Sequence, residues 1–212
     1  LALARYNSSG SLDTTFDADG KRTDYIGASN SQSEVARGVA VQPDGKIVVA
    51  GYRHNGSGTE DFALARYTST GVADSTFDGD GRLTTAIGTS LDVALAVAVQ
   101  PDGYIVAAGS TSVGGSYDLA LARYSPGGVL DSTFDGDGKQ NTSIGASSDV
   151  GYAVALQPDG KILVAGYSFN GNQDLALARF HPDGSLDASG ADERHAAIGV
   201  TRLTAGILEF DL

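Results

Sequence analysis

Large and small apolar residues alternate along short stretches of this chain, and the stretches recur. Phe62-Ala-Leu-Ala65 puts bulky side chains on one face of an extended strand and alanines on the other. Val39-Ala-Val41 does the same. A strand apolar on both faces belongs to a sheet covered on both sides, and a bulky face opposite a small one lets neighbouring sheets nest. Val39–Gly51 reads as two such strands joined by a tight turn at Pro43-Asp44-Gly45. Proline presets one backbone angle, aspartate bonds back to the main chain, and glycine accepts a positive φ. The phrase returns at Val97–Gly109 and at Val154–Gly166.

The hairpin glutamines Gln42, Gln100 and Gln157 are 58 and 57 residues apart. Ala-Leu-Ala-Arg recurs at Ala2–Arg5, Ala63–Arg66, Ala120–Arg123 and Ala176–Arg179. A third phrase, Leu-Asp-x-Thr-Phe-Asp-x-Asp-Gly, stands at Leu12–Gly20 and Leu130–Gly138, with an intervening copy that begins with Ala73. A fixed period in this range means stacked units. Each full unit predicts four strands. The first unit gives Val35–Gln42, Lys46–Tyr52, Asp61–Tyr67 and Arg82–Ile87. The second gives Val93–Gln100, Tyr104–Ser110, Asp118–Tyr124 and Lys139–Ile144. The third gives Val150–Gln157, Lys161–Ser168 and Asp174–Phe180, while Leu1–Tyr6 and Lys21–Ile26 supply only the last two strands of a leading unit.

This pattern predicts an all-β, propeller-type repeat of four-stranded antiparallel blades, each nested between two others. The units are residues 1–33 (a trailing half), 34–91, 92–148, and 149–187 without a normal fourth strand; 188–212 is a divergent segment or cap. A helical reading of Leu-Ala-Leu-Ala-Arg-Tyr fails on length, because the motif ends at Asn7-Ser8-Ser9-Gly10. A parallel β-helix is the rival, but its coils have no need of the Pro-Asp-Gly hairpin that marks antiparallel neighbours.

Composition narrows the function classes. The chain has 212 residues, 29 glycines, no cysteine and a net charge of −12. Absent cysteine, no disulfide framework exists and redox compartment is unreadable. The negative charge argues against nucleic acid, whose phosphates need Lys and Arg, and against anionic membranes. No run approaches the ~20 apolar residues of a spanning helix. The chain opens in mid-repeat at Leu1, so it reads as a piece of something longer.

Leu130–Lys139, Ala153–Gly166 and Asp174–Phe180 together resemble the delta-60 repeat, a bacterial β-propeller-like family of unknown function. The resemblance runs from Leu1 to about Asp187. It implies a secreted or surface-exposed protein, and it carries no catalytic residues to transfer. After Leu186-Asp187 the pattern departs: Ala188–His195 replaces the expected Thr-Phe-Asp-x-Asp-Gly, and a strand is expected at Leu203–Phe210. So few units make a partial propeller. Adjoining blades or a second copy of the chain would then cover its exposed apolar faces.

Two carboxylate sets are candidate sites. The first comprises Asp13, Asp17 and Asp19; Asp74, Asp78 and Asp80; and Asp131, Asp135 and Asp137. Three acids within seven residues suit calcium, a hard cation wanting six to eight oxygens. The EF-hand count fails, however, placing Ile26, Ile87 or Ile144 where a bidentate Glu belongs. Read without an ion, the same residues make a turn in which Asp caps the backbone and Gly takes positive φ. The second set is Glu34, Asp92 and Asp149, each eight residues before a hairpin glutamine. On inner strands they would ring one mouth of the axial channel and attract a cation, or simply bond the backbone where a loop enters the strand. Arg37 stands beside this ring in one unit only.

Asp61 with Arg66, Asp118 with Arg123 and Asp174 with Arg179 flank the third strands five residues apart, so they point to opposite faces and are expected to pair between strands or blades. Catalytic signals are poor. His54, His181 and His195 are scattered, with no zinc-type pair, no Gly-x-Ser-x-Gly elbow and no phosphate loop. The triplets at Asn7, Asn55 and Asn141 fit a glycosylation pattern too short to carry weight. Tyr52, Tyr104, Tyr117, Tyr152, Tyr167 and Phe169 are either sugar-stacking platforms or packing. The residues therefore point to a non-catalytic binding module, which the resemblance implies is extracellular. Its strands are a framework, and the variable loops Arg53–Glu60, Thr111–Tyr117 and Phe169–Gln173 would contact a protein or carbohydrate. The alternative is a metal-dependent hydrolase using Glu34, Asp92 and Asp149.

Overall fold

The structure, a computed structural model, describes residues 1–27, 32–56 and 58–188. It is all-β. The strands are β1 (Ala2–Ala4), β2 (Lys21–Thr23), β3 (Glu34–Val41), β4 (Ile47–His54), β5 (Glu60–Tyr67), β6 (Arg82–Thr85), β7 (Asp92–Val99), β8 (Ile105–Val113), β9 (Ser116–Tyr124), β10 (Lys139–Thr142), β11 (Asp149–Leu156), β12 (Ile162–Phe169) and β13 (Gln173–Phe180). They form antiparallel sheets in sequence order: β3-β4-β5-β6, β7-β8-β9-β10 and β11-β12-β13, preceded by the pair β1-β2. These are two full blades, a third with three described strands, and a leading half-blade: an open, partial propeller. The expected strand at Leu203–Phe210 lies outside the described residues.

Each first hairpin closes as its residues dictate. The Gly45 amide donates to Gln42 O at 2.9 Å, Asp44 accepts from the Lys46 amide at 3.1 Å, and Gly45 sits at φ 82°. Gly103 and Gly160 repeat the turn at φ 88° and 86°.

Blades nest by size. Val48, Ala50, Phe62 and Leu64 on one face of the first full blade meet Ile105, Ala107, Ala120 and Ala122 of the next, and all are buried. Val106, Ala108, Leu119 and Leu121 then meet Ile162, Val164 and Ala178 of the third blade. Burying a side chain of this size stabilises by about 1.5–3 kcal/mol, and the repeat multiplies that gain at every junction. The first strands β3, β7 and β11 lie against one another in succession, which places them innermost.

Every first strand carries a β-bulge at the same place. Register shifts between Ala36 and Gly38, between Ala94 and Ala96, and between Gly151 and Ala153 leave Arg37, Leu95 and Tyr152 as the inserted residues. The bulge explains the glycine that follows the alanine near the middle of each second strand. A Cβ on Gly51, Gly109 or Gly166 would lie 1.8, 1.9 or 1.7 Å from the carbonyl oxygen of Val35, Val93 or Val150.

Candidate functional site

The Leu-Asp-x-Thr-Phe-Asp-x-Asp-Gly segments fold into a staple between blades. Arg66 Nε donates to Asp74 Oδ2 at 2.8 Å, and Arg123 Nε to Asp131 Oδ2 at 2.7 Å. Arg5 pairs with Asp13 at 2.9 Å and Arg179 with Asp187 at 2.8 Å. The arginine partner is thus the aspartate eight residues on. The expected pairing with Asp61, Asp118 or Asp174 is corrected: a five-residue offset turns those acids away, whereas the chain folds back after the strand and returns the later one. In Arg5, Arg66 and Arg123 the guanidinium also stacks over the buried ring of Phe16, Phe77 or Phe134, at 5.0, 4.8 and 4.9 Å from the centroid. It then reaches forward to a carbonyl of the next blade: Arg5 to Ser69, Arg66 to Pro126 and Arg123 to Pro182.

Asp17, Asp78 and Asp135 adopt left-handed φ of 48°, 49° and 48°. Their amides donate to Thr70, Gly127 and Asp183 of the following blade at 2.9, 2.8 and 2.7 Å. Asp19, Asp80 and Asp137 accept from the amides of Lys21, Arg82 and Lys139 at 2.8–2.9 Å. Asp13, Asp74 and Asp131 also accept from Thr15, Thr76 and Thr133. Burial opposes ionisation of Asp74, but the Thr76 hydroxyl and amide, Lys46 and the Arg66 charge hold its pKa down to about 2. Burial and the neighbouring Asp80 or Asp137 instead push Asp78 and Asp135 upward. Among the described residues, no group of three or more His, Asp or Glu side chains stands close enough to hold a metal ion.

The second carboxylate set caps the loop that enters each blade. Asp92 accepts from the amides of Ile87 and Gly88 at 2.8 and 3.1 Å and from Thr111 Oγ1 at 2.5 Å. Asp149 accepts from Ile144 and Gly145 at 2.7 and 3.1 Å, and Glu34 from Ile26 and Gly27 at 2.7 and 3.0 Å. Asp92 and Asp149 have no exposed surface. Their lone pairs are occupied by the backbone of the Ile-Gly step that links one blade to the next.

The bulges bring variable side chains to the innermost strands. Arg37 lies over the Tyr52 ring at 5.6 Å, and Tyr52 meets His54 edge-on at 6.3 Å. His54 Nε2 stands 3.2 Å from Glu60. In the third blade, Tyr152 and Tyr167 are 5.8 Å apart with rings tilted by 40°, and Tyr152 is 58% exposed. Burial raises the Tyr167 pKa, with Tyr152, Tyr117 and Asp149 adding to it. The middle blade has Leu95 and Ser110 in these places. Of the aromatic platforms read from sequence, the bulges gather Tyr52, Tyr152 and Tyr167. Tyr104 is elsewhere, 5.5 Å from Arg123, in the place of Lys46 and Lys161. The variable position was visible in the chain, since Val-Ala-Arg-Gly-Val, Val-Ala-Leu-Ala-Val and Val-Gly-Tyr-Ala-Val differ most at their middle residue, but nothing local marks that residue as an insertion.

The expected contact loops are shorter than their sequences suggest. The strands run on to His54, Val113 and Phe169, so the middle loop contracts to Gly114-Gly115, both at positive φ. Two residues of left-handed backbone are a tight hairpin, matched to the twist of its strands.

A family model described as a beta-propeller domain of unknown function matches residues 1–16, 42–77, 100–134 and 157–189. Residues 42–77 and 100–134 each run from the first turn through the staple phenylalanine, 1–16 ends on Phe16, and 157–189 begins at the first turn of the third blade. Arg37, Leu95, Tyr152 and the capping acids Glu34, Asp92 and Asp149 fall between them. No curated protein matches the chain.

Proposed function

Because this chain belongs to the DUF5122 beta-propeller family, whose function is unknown, we propose that it is a non-catalytic binding module of the delta-60 repeat type, displayed outside a bacterial cell. Its contact surface is the row of bulged inner strands, and its ligand is a neutral carbohydrate. The observation that carries this reading is the inserted residue. In three strands otherwise copied and locked together, one position per blade is an exposed arginine, a leucine or an exposed tyrosine. Bulges re-aim side chains beside functional sites, and rigid aromatic and arginine groups make the strongest contact anchors. The tilted Tyr152–Tyr167 pair supplies ring faces for the apolar side of a sugar. The net charge of −12 disfavours an acidic polymer.

The test is electrophoresis through gels containing dextran, laminarin, xylan or soluble cellulose. At least one polymer is expected to retard the protein, with Tyr152→Ala restoring free mobility at unchanged circular dichroism. Unchanged mobility in every gel would sink the carbohydrate reading in favour of a protein ligand. New reducing ends on the retarding polymer would overturn the non-catalytic part.

A further inference from the structure

Arg37 stands apart from the other arginines. Every other arginine among the described residues is paired with a carboxylate. Arg37 is exposed and meets no carboxylate among them, although the chain carries 26 Asp and Glu residues. Its polar partner is neutral: Nη2 donates to the Tyr52 hydroxyl at 3.5 Å. The guanidinium carbon lies 5.6 Å from the centre of the same ring. Tyr52 meets His54 edge-on, with the rings at 84°, and His54 Nε2 stands 3.2 Å from Glu60 Oε1. Side chains of β4 and β5 thus brace the platform on which the arginine rests.

The arrangement belongs to the interior of the array. Tyr52 follows Val48 and Ala50 at two-residue steps, so it shares their face, and that face packs on the second full blade. Gly38, the residue after Arg37, is pressed against β7: a Cβ there would stand 3.1 Å from Ala96 Cα, one residue beyond the bulged Leu95. Arg37 therefore sits where the two full blades meet. The corresponding positions of the other blades are Leu95 with Ser110 and Tyr152 with Tyr167, and neither pair carries a fork of donors.

We propose that Arg37 determines the specificity of the carbohydrate surface by selecting sugars with two free hydroxyls on adjacent ring carbons. The inference rests on the carbohydrate reading and adds to it the class of sugar. A guanidinium is planar and presents its N–H bonds in a fixed fork. Adjacent ring hydroxyls, staggered about one C–C bond, offer two acceptor oxygens side by side to that fork. An arginine already stacked on a ring loses little freedom on making both bonds. A lone hydroxyl satisfies one N–H and leaves the second desolvated without a partner, the condition under which a polar site rejects an analogue. A carboxylate also fits the fork, but the net charge of −12 opposes an anionic chain.

The test is affinity electrophoresis of the whole chain in gels of unsubstituted xylan, dextran or laminarin. Sugars within β-1,4-linked xylan and α-1,6-linked dextran keep adjacent free hydroxyls. The β-1,3 linkage of laminarin consumes the middle hydroxyl of three and leaves no adjacent pair within the chain. Xylan or dextran is expected to bind about tenfold more tightly than laminarin, the difference made by roughly one hydrogen bond to a charged group. Arg37→Lys keeps the charge but loses the fork, and is expected to bring the polymers within about twofold of one another at unchanged circular dichroism. Tyr52→Leu removes the platform and leaves Arg37 in place, and is expected to shrink the preference from a second position. Equal retardation by all three polymers overturns the inference and leaves the carbohydrate reading standing. A preference that survives in Arg37→Lys does the same, because charge without the fork would then suffice. Retardation by none of the three overturns the inference, and reaches the carbohydrate reading itself only if soluble cellulose fails too.

Discussion

A methyl group added at Gly128 tests whether the staple couples the blades. Gly128 lies in the turn after β9 at φ 91°, and a Cβ there would stand 3.0 Å from both Phe77 Cδ2 and the Asp78 amide nitrogen of the preceding blade. Gly10 occupies the same turn of the leading half-blade at φ 84°, and its Cβ would meet nothing within 4 Å. Gly10→Ala and Gly128→Ala therefore share one backbone cost, about 1–2 kcal/mol for a left-handed alanine. Each recovers part of it, about 0.4–1 kcal/mol, from the restricted unfolded chain. Only Gly128→Ala must also push the Phe77 ring against the Arg66 guanidinium 4.8 Å from its centroid. Overpacking of this kind costs a further ~1–3 kcal/mol. Urea titration followed by circular dichroism reads the difference. In an array stabilised through nearest-neighbour interfaces, a weakened junction is expected to broaden the transition as well as shift it. Phe77→Leu in the Gly128→Ala background removes ring atoms from the clash and is expected to shrink the extra cost, a coupling that a double-mutant cycle isolates. Equal destabilisation by the two alanines, or additivity in the cycle, would refute the staple as an inter-blade coupling.

Two further outcomes follow from the buried acids. Asp92→Ala strips partners from the part-buried Ile87 and Gly88 amides and from buried Thr111, and is expected to destabilise by about 3 kcal/mol, the low end of 1–3 kcal/mol for each of three groups because water can reach the two amides. Thr111→Val, which removes only one donor, is expected to cost less in the same thermal melts. Asp74 has its pKa lowered to about 2 in the folded chain from about 3.9 when unfolded. The unfolded state binds its proton first as pH falls, so its contribution is whole above about pH 4 and lost on descending toward pH 2. Urea titrations across that window should show a shallower decline for Asp74→Asn; an unchanged slope would detach the staple from acid stability.

The strands, their antiparallel order and the nesting of bulky against small faces were legible in the chain itself. Size alternation in Phe62-Ala-Leu-Ala65 and the thrice-repeated Pro-Asp-Gly turn are local signals, and local backbone geometry answers to them directly. The capping role of Glu34, Asp92 and Asp149 was legible as one of two readings, since an acid at a strand entrance is always within reach of nearby amides. What the sequence could not assign was partnership at a distance. Arg66 meets Asp74 because the chain reverses between them, and a linear offset says nothing of that reversal. The bulge was hidden for a related reason: one inserted residue is defined only against the strand it pairs with, and the Val35 carbonyl over Gly51 exists only once β3 and β4 are in register. The amino-acid order decided which segments form strands and which faces are bulky. The folded array alone decided which charges meet and which side chains the bulges turn to the surface, because each depends on a partner that a distant stretch of chain supplies.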